Sequence, residues 1–230
     1  KLTFRFTKGD GQFRMVVLKE GAAIGTLSVN GTDYFASPAF GLPASAFNNN
    51  DGFVVYKSAN AAQLITVPVT NLRPGTTYHI NVFEFNGSGT ATQYQMVALT
   101  GSKATVSAPT GQGSFKTSTN IIGNSVTLNW NLGNGARRLI VARKANAVNA
   151  DPEDLKQYTG SSEFGDGSVV SGDNYAVYSG SANTTITVTN LEPNTTYHFA
   201  LFEYNGSSGP VYLKPAATTT VHTNAGPTRA

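Results

Sequence analysis

The chain contains one passage twice. NLRPGTTYHINVFEFNG, Asn71 to Gly87, recurs as NLEPNTTYHFALFEYNG, Asn190 to Gly206, at an offset of 119. Upstream, KLTFRFTKGDGQFR (Lys1 to Arg14) lies over SVTLNWNLGNGARR (Ser125 to Arg138) at a constant offset of 124. That register continues through Tyr34 over Tyr158 and Phe40 over Phe164, shifts to 122 at Val55 over Val177, and reaches 118 at Tyr94 over Tyr212. The offset changes only in stretches rich in Asn, Gly, Ser and Ala, where loops accept insertions. Two copies of one fold must therefore fit into 230 residues, enough for two domains with a core each.

Periodicity assigns the class of that fold. Ser125 to Trp130 alternates polar and apolar residues, as do Leu2, Phe4 and Phe6 in the first copy, the pattern of half-buried strands. Arg138 to Arg143 and Arg14 to Leu18 follow as second strands, after turns carrying the hairpin signals Asn134-Gly135 and Asp10-Gly11. Thr185 to Thr189 and Leu64 to Val69 read as later strands, with Pro68 suited to an edge or a bulge because it cannot donate to a ladder. No segment has sustained helical periodicity. Charged residues make up 13% of the chain against a usual value of about 25%, and Thr, Ser, Asn and Gly take their place. The expectation is all-β: two tandem antiparallel β-sandwiches.

Here the residues resemble a known family. Leu72-x-Pro-x-Thr-x-Tyr78 and Leu191-x-Pro-x-Thr-x-Tyr197 resemble the fibronectin type III tyrosine corner, in which the tyrosine hydroxyl bonds back to the chain upstream. Trp130 stands where that family, an immunoglobulin-like sandwich, places its core tryptophan, and Phe6 replaces it in copy one. A closer resemblance is to the fibronectin type III-like domains of large surface and secreted proteins of Bacteroidota. It rests on Tyr34 to Gly41 (Y-x5-F-G), Val54-Val55-Tyr56, the Leu-x-Pro-x-Thr-x-Tyr-His run and the Glu-Phe/Tyr-Asn-Gly ending. Both copies exceed ordinary members in length, and the surplus falls in two excursions, Lys19 to Gly52 and Lys144 to Asp173. The expected boundaries are 1–104 for a domain lacking its first strand, 105–224 for a second, and 225–230 for the start of a linker or following domain. The linker between the copies is expected near Gly101 to Pro109.

The chemistry-bearing residues are few. With no cysteine, disulfides and thiolate-ligated metals are excluded. The net charge of +3 is scattered rather than gathered into a block that could track phosphates, and apolar runs are strand-sized, so neither nucleic-acid binding nor membrane insertion is expected. His79 and His198 flank the corner tyrosines and point away from the core by alternation. Counting by twos from Tyr78 and Tyr197 places Glu84 and Glu203 on the inward face, where a carboxylate needs hydrogen bonds; loop N–H groups, Arg14 and Arg138 are the expected donors. Asp151, Glu153 and Asp154 lack the alternate-position order of a calcium loop and read more simply as a turn or helical start. Asn-x-Ser/Thr at Asn30, Asn86, Asn183, Asn194 and Asn205 has two readings, glycan acceptor or turn chemistry.

Tyr34/Tyr158 and Phe40/Phe164 keep register across the copies and are expected to pack the excursions onto the sandwich. Phe35 and Phe47 have no aromatic counterpart, which makes them the expected surface-binding residues. No catalytic site, cofactor or metal is expected. The resemblance implies a structural stalk in an extracellular bacterial adhesin or filament, with neighbouring domains of the same longer chain as partners, and other surface proteins or glycans beyond them. The alternatives are a spacer of a secreted polysaccharide-degrading enzyme and a carbohydrate-binding module.

Overall fold

A computed structural model describes residues 1–226. The chain divides into two compact units, Lys1–Thr105 and a second beginning at Val106. Thr105 closes the first: its N–H donates to Thr76 O at 2.9 Å and its hydroxyl to Arg73 O at 2.6 Å. Thr223 does the same in the second, toward Thr195 O and Glu192 O. Of the expected tail 225–230, Pro227 to Ala230 lie outside the described residues.

In unit 1 the strands are β1 (Leu2–Thr7), β2 (Phe13–Glu20), β3 (Phe53–Ser58), β4 (Leu64–Val69), β5 (Thr77–Asn86), β6 (Gln93–Tyr94) and β7 (Leu99–Ala104). β1 and β4 form a two-stranded sheet; a larger sheet runs β3-β2-β5, with β6 and β7 both on the far side of β5. Unit 2 continues with β8 (Ser114–Phe115), β9 (Val126–Asn131), β10 (Arg137–Lys144), β11 (Val169–Ser171), β12 (Asn174–Gly180), β13 (Thr185–Val188), β14 (Thr196–Asn205), β15 (Val211–Tyr212) and β16 (Ala217–His222). Its small sheet is β13-β9-β8 and its large sheet β11-β12-β10-β14, with β15 and β16 beyond β14. Every pairing between these strands is antiparallel.

Alternation in the sequence becomes layering. Leu2, Phe4 and Phe6 of β1 and Ile65, Val67 and Val69 of β4 meet Val16, Leu18, Tyr78, Ile80 and Val82 of the large sheet in one core. Val126, Leu128, Trp130 and Val188 meet Ile140, Ala142, Tyr197, Phe199 and Leu201 in the other. Pro68 sits on β4, which has a single neighbour, so its missing N–H costs no ladder bond.

The large sheets are buried on their second face as well. Met15, Val17, Phe83 and Phe85 pack with Tyr34, Phe47 and Tyr94. Leu139, Val141, Phe202 and Tyr204 pack with Tyr158, Val170 and Tyr212. Each excursion thus forms a third layer, and β2 and β10 are buried along five consecutive residues rather than at alternate ones. Their neighbours β3 and β12 carry a bulge at the same repeat position, with Val55 as the extra residue opposite the Val16–Val17 step and Val177 opposite the Ile140–Val141 step.

Two expectations require correction, and one excursion holds a strand of its own. Gly101 to Ala104 are not linker but part of β7, paired with Thr77 to Ile80. All six β7 residues are exposed, so no apolar alternation marked the strand. The second excursion contains the strand β11, which pairs with β12. Phe47, expected at the surface, is fully buried: its ring lies 5.1 Å from that of Tyr34 and 5.9 Å from that of Phe83.

Candidate functional site

The repeated polar residues converge on three arrangements, each present in both units. The first is the tyrosine corner. Left-handed Asn71 and Asn190 turn the chain, and the Tyr78 hydroxyl then accepts the Arg73 N–H at 2.9 Å. Tyr197 accepts the Glu192 N–H at 2.9 Å. Both rings are buried, and burial pushes the Tyr78 hydroxyl up from its ordinary range.

The second is a carboxylate clamp at the end of the long central strand. Arg14 Nε lies 3.2 and 3.1 Å from the two Glu84 oxygens; its remaining nitrogens donate to Asn60 O and Gly11 O. Gly9 N–H donates to Glu84 at 2.9 Å. In unit 2, Arg138 reaches Glu203 at 3.2 Å and also donates to Ser181 O and Gly135 O, while Gly133 N–H donates to Glu203 at 2.9 Å. A Cβ on Gly11 would stand 2.8 Å from a Glu84 oxygen, and one on Gly135 would stand 2.6 Å from a Glu203 oxygen, so the hairpin turn closes tightly over each carboxylate. Glu84 and Glu203 are therefore held by cations and loop amides, an arrangement that fixes the turn to the strand.

The third holds the excursions. Asn30 Oδ1 accepts the Tyr94 N–H at 2.8 Å, the Tyr94 hydroxyl donates to Thr32 O at 3.0 Å, and the Tyr34 hydroxyl accepts the Val29 N–H at 3.2 Å. Unit 2 repeats each bond: Asp154 with the Tyr212 N–H at 3.0 Å, the Tyr212 hydroxyl with Lys156 O at 3.0 Å, and Tyr158 with the Glu153 N–H at 3.2 Å. Burial pushes the Tyr94 hydroxyl up to about 12 and raises that of Tyr212 as well. This latch was missed in the sequence, although Asn30, Thr32 and Tyr34 lie over Asp154, Lys156 and Tyr158 at the repeat offset of 124. In unit 1, Asp51 adds a further tie, bonding Lys19 and the Gly25 and Thr26 amides.

The remaining candidates resolve individually. Trp130 is buried against Tyr178, ring centroids 5.3 Å apart. His198 Nδ1 meets the Thr220 hydroxyl at 3.0 Å and His222 meets Thr196 and Asn194, all contacts within one sheet end. Asp151, Glu153 and Asp154 lie in a turn around left-handed Leu155, and no helix follows. Asn86 and Asn205 accept the Gln12 and Ala136 amides of the hairpin turns, and Asn30 holds the Tyr94 amide in the latch. Phe35 is 58% exposed and borders a groove with Asp33, Tyr34, Ala36 and Lys57. Lys57 pairs with Asp33 and stands 5.5 Å above the Phe85 ring. Unit 2 has a cleft at the equivalent place, lined by Tyr158, Thr159, Gly160, Ser179 and Tyr204. Among the described residues no cluster of three or more His, Cys, Asp or Glu is placed to hold a metal.

Each unit is a fibronectin type III-like sandwich. The strand order and the corner tyrosines carry that statement. Neither a protein-family profile nor a curated protein matches the chain. Among solved structures, the FN1-FN3 domains of chicken CNTN1 align over 93% of this chain and 55% of theirs, at 16% identity and a TM-score of 0.41. A two-domain fibronectin type III segment of chicken tenascin aligns over 96% and 92%, at 11% identity and a TM-score of 0.34. The FN3tt structure aligns over 52% of this chain and 95% of its own, at 18% identity and a TM-score of 0.31.

Proposed function

We propose that this tandem is a non-catalytic structural segment of an extracellular bacterial surface protein, a stalk in an adhesin or filament. The observation that carries the reading is that corner, clamp and latch are all duplicated, and all three tie the chain to itself. Such bracing raises the barrier to local opening, which is the property a spacer under load needs. The cysteine-free composition and the resemblance to Bacteroidota surface proteins support the extracellular bacterial setting. The test is force extension of the full chain between handles. The stalk reading expects two separate unfolding events, one releasing roughly 37 nm for about 105 residues in unit 1 and one roughly 42 nm for about 120 residues in unit 2, at about 3.5 Å each. A gradual extension without discrete events would rule it out.

Exposed Phe35 beside the Asp33–Lys57 pair favours a second reading, contact with a glycan or another surface protein at the first excursion. Sugars stack on such rings while polar neighbours bond their hydroxyls. Binding to immobilised polysaccharides that Phe35→Ala abolishes would support it, and binding unchanged by Phe35→Ala would remove it.

A further inference from the structure

The sheet face that carries the latch is finished differently in the two units. In unit 1, Phe13 lies opposite Phe85 and stacks on it, ring centroids 5.1 Å apart. Lys57, opposite Met15 on β3, stands over the Phe85 ring and pairs with Asp33. The repeat places Arg137, Tyr204, Ser179 and Gln157 at the positions of Phe13, Phe85, Lys57 and Asp33. Arg137 lies opposite Tyr204, and Ser179 opposite Leu139, so the register is kept while the side chains change. A serine is too short to reach over the neighbouring ring as the lysine does. Where unit 1 has an ion pair over an aromatic stack, unit 2 has a cleft of about 240 Å³ between excursion and sheet.

The polar groups lining that cleft have unused bonding capacity. Alternation along β10 sends Arg138 inward to the clamp and Arg137 to the other face, with Leu139 and Val141. The Arg138 guanidinium donates to Ser181 O, Gly135 O and Glu203; that of Arg137 meets no acceptor among the described residues. The Tyr158 hydroxyl accepts the Glu153 N–H, which leaves its own proton to donate. Ser179 and Tyr204 share one hydrogen bond at 3.1 Å, so whichever donates, the other keeps a proton. Gln157 donates to Ser207 O and keeps its side-chain carbonyl as an acceptor. No carboxylate stands among the described residues that line the cleft. The acids of the adjoining turn are engaged, Asp154 with the Tyr212 N–H and Glu153 with Lys156 at 3.6 Å.

We propose that the cleft lined by Arg137, Gln157, Tyr158, Ser179 and Tyr204 binds a carboxylated sugar, one uronic acid unit of an acidic polysaccharide. The planar fork of the Arg137 guanidinium matches a carboxylate with two parallel N–H···O bonds. Sugar hydroxyls both donate and accept, and the cleft offers both: Tyr158 and the Ser179–Tyr204 pair donate, while Gln157 and the Thr159 hydroxyl accept. An acidic peptide side chain would use Arg137 and leave those acceptors without a donor, which favours the sugar. At about 240 Å³ the cleft lies below the roughly 300–1,000 Å³ of sites that enclose a drug-sized ligand, and it suits a single sugar unit. Unit 1 has no such site, because Phe13 replaces the arginine and Lys57 already holds the Asp33 carboxylate. The inference rests neither on the stalk reading nor on contact at Phe35.

The test titrates trigalacturonate into the full 230-residue chain and follows the backbone amide signals by NMR. Shifts are expected at Arg137, Gln157 to Gly160, Ser179 and Tyr204, with none at Asp33 to Ala36. The methyl ester of the same trisaccharide keeps the shape without the charge and is expected to bind at least tenfold more weakly. Arg137→Gln is expected to reduce binding of the acid to the level of the ester, with the urea midpoint reported by Trp130 fluorescence unchanged. Arg137→Lys keeps the charge without the fork and is expected to fall between; it carries the comparison should Arg137→Gln lower that midpoint. No shift at the cleft with millimolar trigalacturonate would overturn the proposal, as would shifts that neither variant diminishes. Equal affinity for a triglutamate peptide would overturn the sugar assignment.

Discussion

The Tyr158 hydroxyl accepts the Glu153 backbone N–H at 3.2 Å, across the same five-residue reach by which Tyr197 holds the Glu192 N–H. Tyr34 and Tyr78 repeat the pair in unit 1. Each unit thus uses the corner device twice, once at the sandwich and once in the excursion. Tyr158→Phe removes the acceptor and keeps the ring, so it is expected to destabilise unit 2 by about 1 kcal/mol. Trp130, the chain's single tryptophan, reports that unit alone in urea unfolding followed by fluorescence. An unchanged midpoint would show that the excursion bond contributes nothing.

Glu203 is completely covered and its partner Arg138 nearly so, whereas Glu84 keeps some solvent. Removing one member of a buried pair leaves the other charged and unpaired, at about 3–5 kcal/mol. Glu203→Ala is therefore expected to destabilise unit 2 by about that amount, and Glu84→Ala to destabilise unit 1 by less. Chemical denaturation of each variant checks the ranking; equal costs would mean that the cover over Glu203 does not strengthen the clamp.

Phe47 and Phe35 lie in one excursion with opposite fates. Phe47→Ala leaves a cavity between Tyr34 and Phe83 and is expected to cost about 3–5 kcal/mol. Phe35→Ala, on the exposed side, is expected to stay within about 0.5 kcal/mol. Circular dichroism melts of the two variants distinguish them, and a neutral Phe47→Ala would refute the third layer.

The pH dependence has two limbs. Burial would raise the Asp51 carboxyl, but bonds from Lys19, Thr26 and Gly25 outweigh it and hold Asp51 below its ordinary 3.8. A carboxylate depressed in the folded state adds stability above its unfolded pKa, and that stability is lost as pH falls through the folded value. Unit 1 is expected to lose this contribution below about pH 4, and Asp51→Asn to flatten the acid limb. Tyr94 runs the other way: its hydroxyl is raised from 10.0 to about 12 by burial, so its contribution is intact below pH 10 and lost as pH rises toward 12. Ultraviolet titration is expected to show tyrosines that ionise only as the alkaline transition proceeds. Ionisation of every tyrosine near pH 10 with the fold intact would contradict the latch.

Much of this was legible in residues that carry both a period and a repeat. Alternation in Leu2, Phe4 and Phe6 placed β1, and counting by twos brought Glu84 to Arg14. The excursions resisted because their packing is irregular. Phe47 has no aligned aromatic, since unit 2 completes the matching cluster with Val170 instead. β7 has no buried residue, so its backbone bonds to β5 define it and side-chain pattern does not. The latch depends on an oxygen that Asn30 and Asp154 both offer, a likeness of geometry between different residue types.

The central claim is that the excursions are a structural third layer rather than loose loops, and proteolysis tests it most directly. A broad-specificity protease is added to the native chain across a series of sub-denaturing urea concentrations, and the first cuts are mapped. If the layer is packed as described, cleavage within residues 21–52 and 145–168 follows the global unfolding equilibrium and accelerates with urea in step with it. Rapid, urea-independent cuts in either stretch, with the sandwich still folded, would contradict the account.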